Sequence, residues 1–398
     1  MHEAPTEHRA GHGAAGAPRC SAADGHRAVR LAIDCRHRFG VGTLVRNLVP
    51  RLAAHVDELT LLGSVALLRE WNREVPNVKL VPFDARVYGV AEQLRFPYGL
   101  ARKVDLLHVP SYNVPLVWRA PLATTINDLA HLSGAMPTNV AQRSYARLLI
   151  RQAIRRSRAL VTLSEFSRRE IARTFGVPPE GITVVPCGVD PAVFHPPEAG
   201  AATRVAELLG TDASYILTAG SLRPHKNTNA LLLAFQDLKR RYGIPHHLVV
   251  VGEQRGFRVN TPLVRLAPDV ERVTHFTGVV SDEMLGQLYG CCGAFVYPSL
   301  YEGFGLPPLE AMACGAAVVA SNRASLPEVV GDAGVLVDPT DVVALADATY
   351  GVIADGGRGD RMRRQGLARA STFSWDKSAA AYLEVFRRCV GDRRVRAA

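Results

Sequence analysis

The sequence predicts an α/β protein built from two parallel-sheet domains. With 398 residues, the chain exceeds the roughly 150 residues of an ordinary domain. Short apolar runs alternate with helical patterns along its length, which is typical of parallel strands covered by helices on both faces. The segment at residues 186–200 is rich in proline and glycine and separates these runs into two series, so it is the predicted linker.

Each series supplies one predicted sheet. The apolar runs of the first series are residues 31–34, 59–64, 78–83, 105–110, 123–126, 159–163 and 183–186, and those of the second are 215–220, 247–252, 273–278, 294–298, 316–321 and 334–339. We therefore predict a disordered tail at 1–28, an N-terminal domain at 29–188 and a C-terminal domain at 189–374. A last helix at 375–390 is expected to pack back on the N-terminal domain.

The composition argues against a secreted or membrane-spanning protein. The chain has seven cysteines, an odd number without a C-x-x-C pair, which disfavours a disulfide framework or a structural zinc site. The N-terminal tail lacks the apolar core of a signal peptide, and no run reaches the roughly 18 apolar residues of a spanning helix. We therefore expect a cytoplasmic protein.

Positive charge is concentrated in the first part of the chain. Residues 1–180 hold 25 lysines and arginines against 15 aspartates and glutamates, whereas residues 181–398 hold 22 against 22. Such a basic surface attracts nucleic acid, an anionic membrane or a phosphorylated substrate. We set nucleic acid aside because aromatic residues are few and no nucleic-acid-binding motif is present.

A candidate anion-binding loop lies at residues 297–315, with the sequence YPSLYEGFGLPPLEAMACG. A buried strand is predicted to precede the loop, and Pro307 and Pro308 favour the first turn of a helix. The backbone N–H groups of Gly305 and Leu306 would then lie at a helix N-terminus, where free donors and the helix dipole attract an anion.

Two glutamates flank this anion site. Glu310 falls in the predicted first helical turn, eight positions beyond Glu302. Carboxylates beside an anion site suit the hydroxyls of a ribose or a hexose, which donate charge-assisted hydrogen bonds. The structural alternative is that Glu310 stabilises the helix dipole and that Glu302 is solvated. Gly303 and Gly305, on either side of Phe304, favour the ligand interpretation because glycine lets a ligand approach the backbone.

A second loop carries Lys226. The sequence YILTAGSLRPHKNTNALLLAF at 215–235 predicts a strand, a glycine-containing loop and a helix that starts near Asn227. Lys226 would stand just before this helix and supply a positive charge to the same anion. Both loops follow strands, and α/β proteins bind ligands at the carboxyl ends of neighbouring strands.

These two loops, GSLRPHKN and EGFGLPPLEAMACG, resemble those of glycosyltransferase family 4, which has the GT-B fold. The resemblance covers about residues 29–390 and includes GVGTLVRNL at 40–48, TLSEFSRRE at 162–170 and VVPCGVD at 184–190. It implies two Rossmann-like domains facing each other across a cleft, with a C-terminal helix crossing back. It also implies a retaining hexosyltransferase that uses a nucleoside-diphosphate sugar.

The resemblance implies roles for individual residues. Glu302 would face the donor sugar, Glu310 would bind the ribose hydroxyls and Lys226 would neutralise the leaving phosphate. Asp128 would join Glu302 and Lys226 as a catalytic residue. The residues predicted to bind the donor are Gly40, Gly42, Gly220, Arg223, Lys226, Val279, Val280, Glu302, Gly303, Phe304, Gly305, Leu306 and Glu310.

Two further loops take their roles from the resemblance. The N-terminal loop Gly40–Val41–Gly42 would close on the donor phosphates, and the loop from Gly278 to Asp282 would hold the base. The chain has no Asp-x-Asp motif of the kind that binds a metal in many sugar transferases. We therefore expect no metal and no cofactor, with Lys226 and the helix N-terminus stabilising the departing diphosphate.

The sequence departs from the family pattern at two places. The family usually has a basic residue right after the loop glycine or just before the lysine, and these positions are Ser221 and His225 here, with Arg223 between them. Either Arg223 or His225 could therefore contact phosphate. The usual Ile-His-Asp triplet is Ile-Asn-Asp at 126–128. Asn127 and the nearby His131 are the acceptor-side candidates, and a plain structural role is the alternative for His131.

An arginine row is predicted on a helix at residues 139–160. The side chains that recur every four residues, and so share one helical face, are Arg143, Arg147, Arg151 and Arg155. Tyr145, Leu148 and Leu149 are predicted to face the core. The row would bind an anionic membrane or a polyprenyl-diphosphate-linked acceptor. A solvated face is the alternative.

The sequence therefore predicts a glycosyltransferase that extends a glycan or lipid-linked acceptor. The loop patterns are most similar to the mannosyltransferase branch, so GDP-mannose is the favoured donor, while UDP-glucose, UDP-N-acetylglucosamine and dTDP-rhamnose stay open. Two alternatives are a nucleotide-sugar epimerase of the same fold and a non-catalytic scaffold. The spacing of the glutamates and the presence of Lys226 favour the transferase.

Overall fold

The computed structural model describes residues 29–36, 40–75, 78–85, 90–136, 138–252 and 262–391. Within these residues the chain forms two parallel sheets with helices on both faces, which confirms the predicted fold class. Each of the thirteen predicted strands is present within these residues. The predicted tail at 1–28 lies outside the described residues.

The first sheet has seven strands in the described part of the chain, in the order β3-β2-β1-β4-β5-β6-β7. The strands are β1 (Arg30–Asp34), β2 (Glu58–Gly63), β3 (Lys79–Pro82), β4 (Leu106–Val109), β5 (Leu122–Thr125), β6 (Ala159–Thr162) and β7 (Ile182–Val184). The helices are α1 (Gly40–Ala53), α2 (Val65–Glu74), α3 (Val90–Arg95), α4 (Ala130–Ser133), α5 (Val140–Arg156) and α6 (Glu165–Phe175).

The second sheet has six strands in the described residues, in the order β10-β9-β8-β11-β12-β13. The strands are β8 (Tyr215–Ala219), β9 (His247–Val251), β10 (Thr274–Gly278), β11 (Ala294–Tyr297), β12 (Val318–Ser321) and β13 (Val335–Val337). The helices are α7 (Ala201–Leu209), α8 (Thr228–Tyr242), α9 (Pro268–Glu271), α10 (Asp282–Cys291), α11 (Leu306–Ala313), α12 (Leu326–Val330), α13 (Val342–Ile353), α14 (Gly356–Ala370) and α15 (Trp375–Gly391).

The central strands are buried on both faces and largely apolar, as expected for parallel strands covered by helices. Every residue of β4, β5, β8 and β11 is buried. Leu31, Leu217 and Phe295 have no solvent exposure, and burying such a side chain contributes about 1.5–3 kcal/mol. The sheets therefore form rigid platforms for the loops at their edges.

The strand order reverses once in each sheet. In the first sheet the reversal lies between β1 and β4, and in the second it lies between β8 and β11. Ligands of open α/β sheets bind outside the carboxyl ends of the strands at such a point. These two points are therefore the expected positions of a ligand site.

The chain crosses between the domains twice, at adjacent positions. Val189 and Ser374 form an isolated parallel bridge, and the hydroxyl of Ser378 donates to the carbonyl of Pro186 at 2.6 Å. A side chain on Gly188 would lie 2.1 Å from the backbone nitrogen of Trp375, so only glycine fits there. The predicted domain boundaries within these crossings stay predictions.

Helix α15 returns to the N-terminal domain, as predicted. It packs against α1 and against β4, β5 and β6. The hydroxyl of Tyr382 lies 3.0 Å from the hydroxyl of Thr125, and Tyr382 itself is fully buried. The helix is thus part of the N-terminal core although it follows the C-terminal domain in sequence.

The predicted core face of α5 is partly wrong. Leu149 is buried, but Leu148 is 54% exposed and Tyr145 is 39% exposed. Four residues turn a helix by about 400°, so the arginine row drifts around the axis by roughly 40° at each step. Leu148 consequently lies beside Arg151 and Arg155 on the outer surface.

The predicted loop Gly40–Val41–Gly42 is also wrong in one respect. These residues form the first turn of α1 rather than a loop. Arg46 on the same helix lies 3.8 Å from Asp282 at the start of α10, so α1 faces the C-terminal domain.

Among the described residues, no helix is both long enough and apolar enough to cross a membrane.

Candidate active site

Lys226 and Glu302 form an ion pair at the point where the second sheet reverses. Lys226 lies in the short turn after β8, and Glu302 lies in the loop after β11. The Nζ of Lys226 is 2.6 Å from Oε1 of Glu302, and the side chains are 17% and 13% exposed. The structure thus brings together the two loops that the sequence singled out.

Tyr297 holds this pair in place. Its hydroxyl accepts from the Nζ of Lys226 at 2.7 Å and donates to Oε1 of Glu302 at 2.8 Å. Burial raises the pKa of Glu302, but the charge and hydrogen bond of Lys226, together with Ser299 and the charge of His225, more than offset this, so the pKa is lowered. A lysine ammonium has three donors, and two are used here, which leaves one for a phosphate oxygen.

The predicted helix N-terminus is present at α11. The helix begins at Leu306, with Gly305 as the N-cap residue at φ 120°, a value that favours glycine. A side chain on Gly305 would lie 2.8 Å from Leu326. The hydroxyl of Ser325, a residue that the sequence did not indicate, lies 2.9 Å from the Glu302 carbonyl and 2.6 Å from that of Phe304.

Glu310 lies in the second turn of α11, not in the first turn as predicted, because the helix begins at Leu306. Burial raises its pKa to about 7, and the charge of Asp282 acts in the same direction. The hydroxyl of Tyr289 donates to Oε2 of Glu310 at 3.4 Å. The carboxyl group is therefore poised to change its charge near neutral pH.

The Glu302 loop packs directly against the N-terminal domain. A side chain on Gly303 would lie 2.5 Å from the carbonyl oxygen of Asn127 and 2.9 Å from Cβ of Asp128. The hydroxyl of Ser164, which caps α6, donates to the carbonyl of Gly303 at 2.8 Å. Gly303 is thus explained by the contact between the domains, whereas the sequence had related it to ligand approach.

Tyr301, the residue before Glu302, extends this contact. Its hydroxyl accepts from the backbone N–H of Leu129 at 3.0 Å and donates to the carboxylate of Glu170. Burial raises the pKa of Glu170, although the bond from Tyr301 opposes the shift. No sequence pattern indicates this pair, because the two residues are 131 positions apart.

Asp128 lies on the N-terminal side of the cleft and faces the ion pair. Its Oδ1 accepts from the backbone N–H of Ala130 at 2.8 Å. Burial raises its pKa; Ala130 and the charge of His131 oppose this, and the charges of Glu302 and Lys226 also act on it. The structure therefore assembles all three predicted catalytic residues around one cleft.

The two acceptor-side candidates differ in their surroundings. The amide nitrogen of Asn127 donates to the carbonyl of Pro110 at 3.1 Å. Its Oδ1 is buried and has no partner among the described residues. The Nδ1 of His131 lies 3.2 Å from the hydroxyl of Tyr112, which holds the imidazole against the cleft wall.

The turn before Lys226 contains Arg223 and His225, the two side chains predicted to contact phosphate, and they differ in charge. His225 is only 7% exposed, and burial together with the charge of Lys226 lowers its pKa to about 4. It is therefore neutral at neutral pH, which leaves Arg223 as the cationic side chain. Gly220 begins this turn at φ 141°, beside a small recess lined by Ser221 and Lys226.

The loop predicted to hold the base lies at the end of β10. Val279 is 78% exposed, and Val280 packs against the core. Gly278 adopts φ 73°, and Ser281 caps the next helix. The loop therefore exposes the apolar side chain of Val279 to solvent.

A charged network that the sequence did not reveal lies at the reversal point of the first sheet. Arg36 contacts Asp34 at 2.5 Å and Glu92 at 2.6 Å, and all three side chains are at most 4% exposed. Asn113 donates to Glu92. Burial raises the pKa of Glu92, and Arg36 opposes the shift. Only folding brings these segments together.

The described residues contain no group of three or more His, Cys, Asp or Glu side chains arranged to hold a metal ion. The cationic groups at the cleft are Lys226 and Arg223, and the amide donors are those at the start of α11. These groups can stabilise negative charge on a phosphate without reorganising.

Comparison with known proteins identifies the class. Residues 40–193 match the family model "Glycosyltransferase Family 4", and residues 201–369 match "Glycosyl transferases group 1". O-antigen chain mannosyltransferase B of Escherichia coli is 31% identical over 373 residues, which are 87% of this chain and 96% of that protein. A D-inositol 3-phosphate glycosyltransferase of Acidothermus cellulolyticus is 30% identical over 393 residues, 93% of this chain and 82% of that protein.

A solved structure shows the same fold. Anabaena HepE in complex with UDP and glucose superimposes with a TM-score of 0.72 at 19% identity, covering 90% of this chain and 99% of that one. The fold and the cleft thus define a two-domain hexosyltransferase with the GT-B fold. The chain belongs to glycosyltransferase family 4.

Proposed function

We propose that the chain transfers a mannosyl group from GDP-mannose to a glycan or a polyprenyl-diphosphate-linked acceptor. The observation that carries this proposal is the Lys226–Glu302 ion pair of 2.6 Å, placed beside the N-terminus of α11. The proposal of mannose rests on the similarity to O-antigen chain mannosyltransferase B.

The donor would lie across the start of α11. The free N–H groups there and the remaining donor of Lys226 would hold the diphosphate, and Glu310 would accept hydrogen bonds from the ribose hydroxyls. Glu302 would face the sugar. Asn127 and Asp128 would lie on the acceptor side, across the contact made by Gly303.

The transfer breaks the bond between the sugar C1 and the diphosphate and forms a bond from C1 to an acceptor oxygen. The acceptor hydroxyl loses its proton and the diphosphate leaves as an anion. Lys226, Arg223 and the α11 N-terminus stabilise that anion. We propose that the configuration at C1 is retained and that no metal or cofactor takes part.

A thermal-shift panel tests the donor. GDP and GDP-mannose should raise the melting temperature at millimolar concentration more than UDP, dTDP or their sugars, because a ligand that binds only the native state stabilises it. The Glu310→Ala variant should lose most of the shift. No shift with any nucleotide would refute the donor site, and a larger shift with UDP-glucose would refute the choice of base and sugar.

The reaction itself is tested with GDP-mannose and a synthetic polyprenyl-diphosphate-linked glycan. The NMR coupling of the product's anomeric proton reports retention, and an unchanged rate in EDTA is expected for metal independence. An inverted product or a loss of activity in EDTA would refute the corresponding part of the proposal.

We also propose that α5 docks on an anionic membrane. Its outer face combines arginines with exposed apolar side chains: Val140 is 78% exposed and Leu148 is 54% exposed. Arg147 and Arg151 have no hydrogen bond or ion pair with any described residue. Such a face suits the boundary between headgroups and acyl chains. Sedimentation with phosphatidylglycerol vesicles should fall in Arg147→Gln/Arg151→Gln; equal sedimentation would refute docking.

A further inference from the structure

A cavity of about 1650 Å³ opens on the N-terminal domain, away from the cleft. Its lining includes Pro121 just before β5, Arg158 just before β6 and Gly181 just before β7. In a parallel sheet these strand starts share one edge. The candidate active site follows the ends of the strands, so the cavity lies at the opposite edge of the sheet.

The cavity is strongly basic. Six arginines line it, with Glu180 as the acidic residue among its lining. They are Arg102, Arg119, Arg155, Arg156, Arg158 and Arg388. We call this feature the arginine cavity. Like charges around one space repel each other, and an anion bound among them relieves that repulsion.

The protein's own groups leave this charge largely uncompensated. Arg156 and Arg158 donate to the carbonyls of Trp118 and Cys389 at 3.0 and 2.9 Å, and a carbonyl carries no net charge. Arg388 lies 3.7 Å from Glu384, but both side chains are more than 60% exposed, so that pair contributes little.

The remaining three arginines of the cavity are free within the described residues. Arg102, Arg119 and Arg155 have no hydrogen bond or ion pair with any described residue.

Helix dipoles explain part of the arginine cavity but not all of it. Arg155 and Arg388 lie in the last turns of α5 and α15, where a positive charge stabilises the helix. Arg102 ends a short 3-10 turn and Arg119 lies in the loop before β5. No helix dipole accounts for this second pair.

We propose that the arginine cavity binds a ligand with more than one phosphate group, at a site separate from the catalytic cleft. The planar guanidinium group offers paired N–H donors that match phosphate oxygens. Several of these groups converge on a volume that holds more than one phosphate. The ligand's charge offsets the repulsion among the arginines.

Inorganic pyrophosphate is the probe for this site, titrated by isothermal calorimetry. The test variant is Arg102→Gln/Arg119→Gln, and the matched control is Arg265→Gln/Arg272→Gln, which removes the same charge from exposed positions of the C-terminal domain. Both arginines of the test variant are exposed and have no partner among the described residues. The substitutions therefore remove no stabilising contact, and the melting temperature should not fall.

The expected result is one binding component that weakens about tenfold or more in the test variant, as the loss of charge-assisted hydrogen bonds implies. The control should keep this component, and any binding at the catalytic cleft should be the same in all three proteins. Equal binding by the three proteins would overturn the proposal, as would no pyrophosphate binding by the natural chain.

Vesicle binding distinguishes lipid headgroups from a soluble phosphorylated ligand as the source of the phosphate groups. If lipid headgroups occupy the cavity, the test variant should sediment less with phosphatidylglycerol vesicles, and pyrophosphate should release the natural chain from them. If a soluble phosphorylated ligand occupies it, vesicle binding should be unchanged while pyrophosphate binding is lost. Arg155→Gln should reproduce the pyrophosphate result, and an unaffected Arg155→Gln would count against the site.

Discussion

The donor side and the acceptor side of the cleft differ in how their polar groups are paired. On the donor side, Lys226, Tyr297 and Glu302 satisfy one another within 2.8 Å. On the acceptor side, Oδ1 of Asn127 is buried without a partner among the described residues. The ion pair on the donor side is thus paired without a ligand, although Nδ1 of His225 in the same turn is buried without a partner in the described part of the chain.

This difference shows what each side still needs. A buried acceptor without a partner costs about 1–3 kcal/mol, and an acceptor hydroxyl can supply the missing donor. On the donor side, the positive charge of Lys226 is already held in place by Tyr297 and Glu302. Preorganised charge serves a departing diphosphate, whereas open acceptors serve a hydroxyl-rich substrate.

The largest expected effect comes from removing the positive charge of Lys226. Lys226→Ala should lower turnover by roughly 10²–10³-fold, the usual effect of losing one preorganised electrostatic contact. Steady-state kinetics with saturating donor measures it, and Lys377→Ala, an exposed lysine of α15, serves as the control. Turnover within threefold of the natural chain would contradict the assignment.

The same variant separates catalysis from folding. Lys226 lowers the pKa of Glu302 in the folded state, so this stabilisation is present above the unfolded pKa and is lost as the pH falls through the folded value. The melting temperature of Lys226→Ala should therefore fall at neutral pH and approach that of the natural chain in acid.

An intermediate effect is expected from the pH dependence of donor binding. In the proposed donor complex, ribose hydroxyls would donate to the ionised form of Glu310, whose pKa is about 7. Donor affinity should therefore rise with pH and be about tenfold weaker at pH 6 than at pH 8. Calorimetry with GDP measures it, and Glu310→Gln should flatten the profile. A profile unchanged by that substitution would contradict the ribose role.

The smallest expected effect lies on the acceptor side. Asn127→Ala should raise the KM for the acceptor by about fivefold to tenfold, the value of one hydrogen bond, and leave the dissociation constant of the donor unchanged. Kinetics with varied acceptor and a separate donor titration test this. A change in donor affinity alone would place Asn127 on the wrong side.

The sequence predicted that Lys226, Glu302 and the start of α11 lie close together because the signals are local. Each belongs to a loop that follows a strand, and the order of the sheet places these loops side by side. The glycines and prolines near Glu302 mark the backbone geometry that the helix start requires.

Other features could not be read from the sequence because their partners are distant in the chain. Glu170 meets Tyr301 across 131 positions, and Arg36 meets Glu92 across 56. The exposure of Leu148 has another cause. The arginine row winds around the helix axis instead of running straight along it, so Leu148 lies beside the row.

The paired crossings at Gly188 and Trp375 limit how the enzyme can move. Both connections between the domains pass through one place, so the domains can pivot about it but cannot slide past each other. The contacts of Gly303 and Tyr301 with the N-terminal domain lie at the cleft. Any opening of the cleft about that place must first break these bonds.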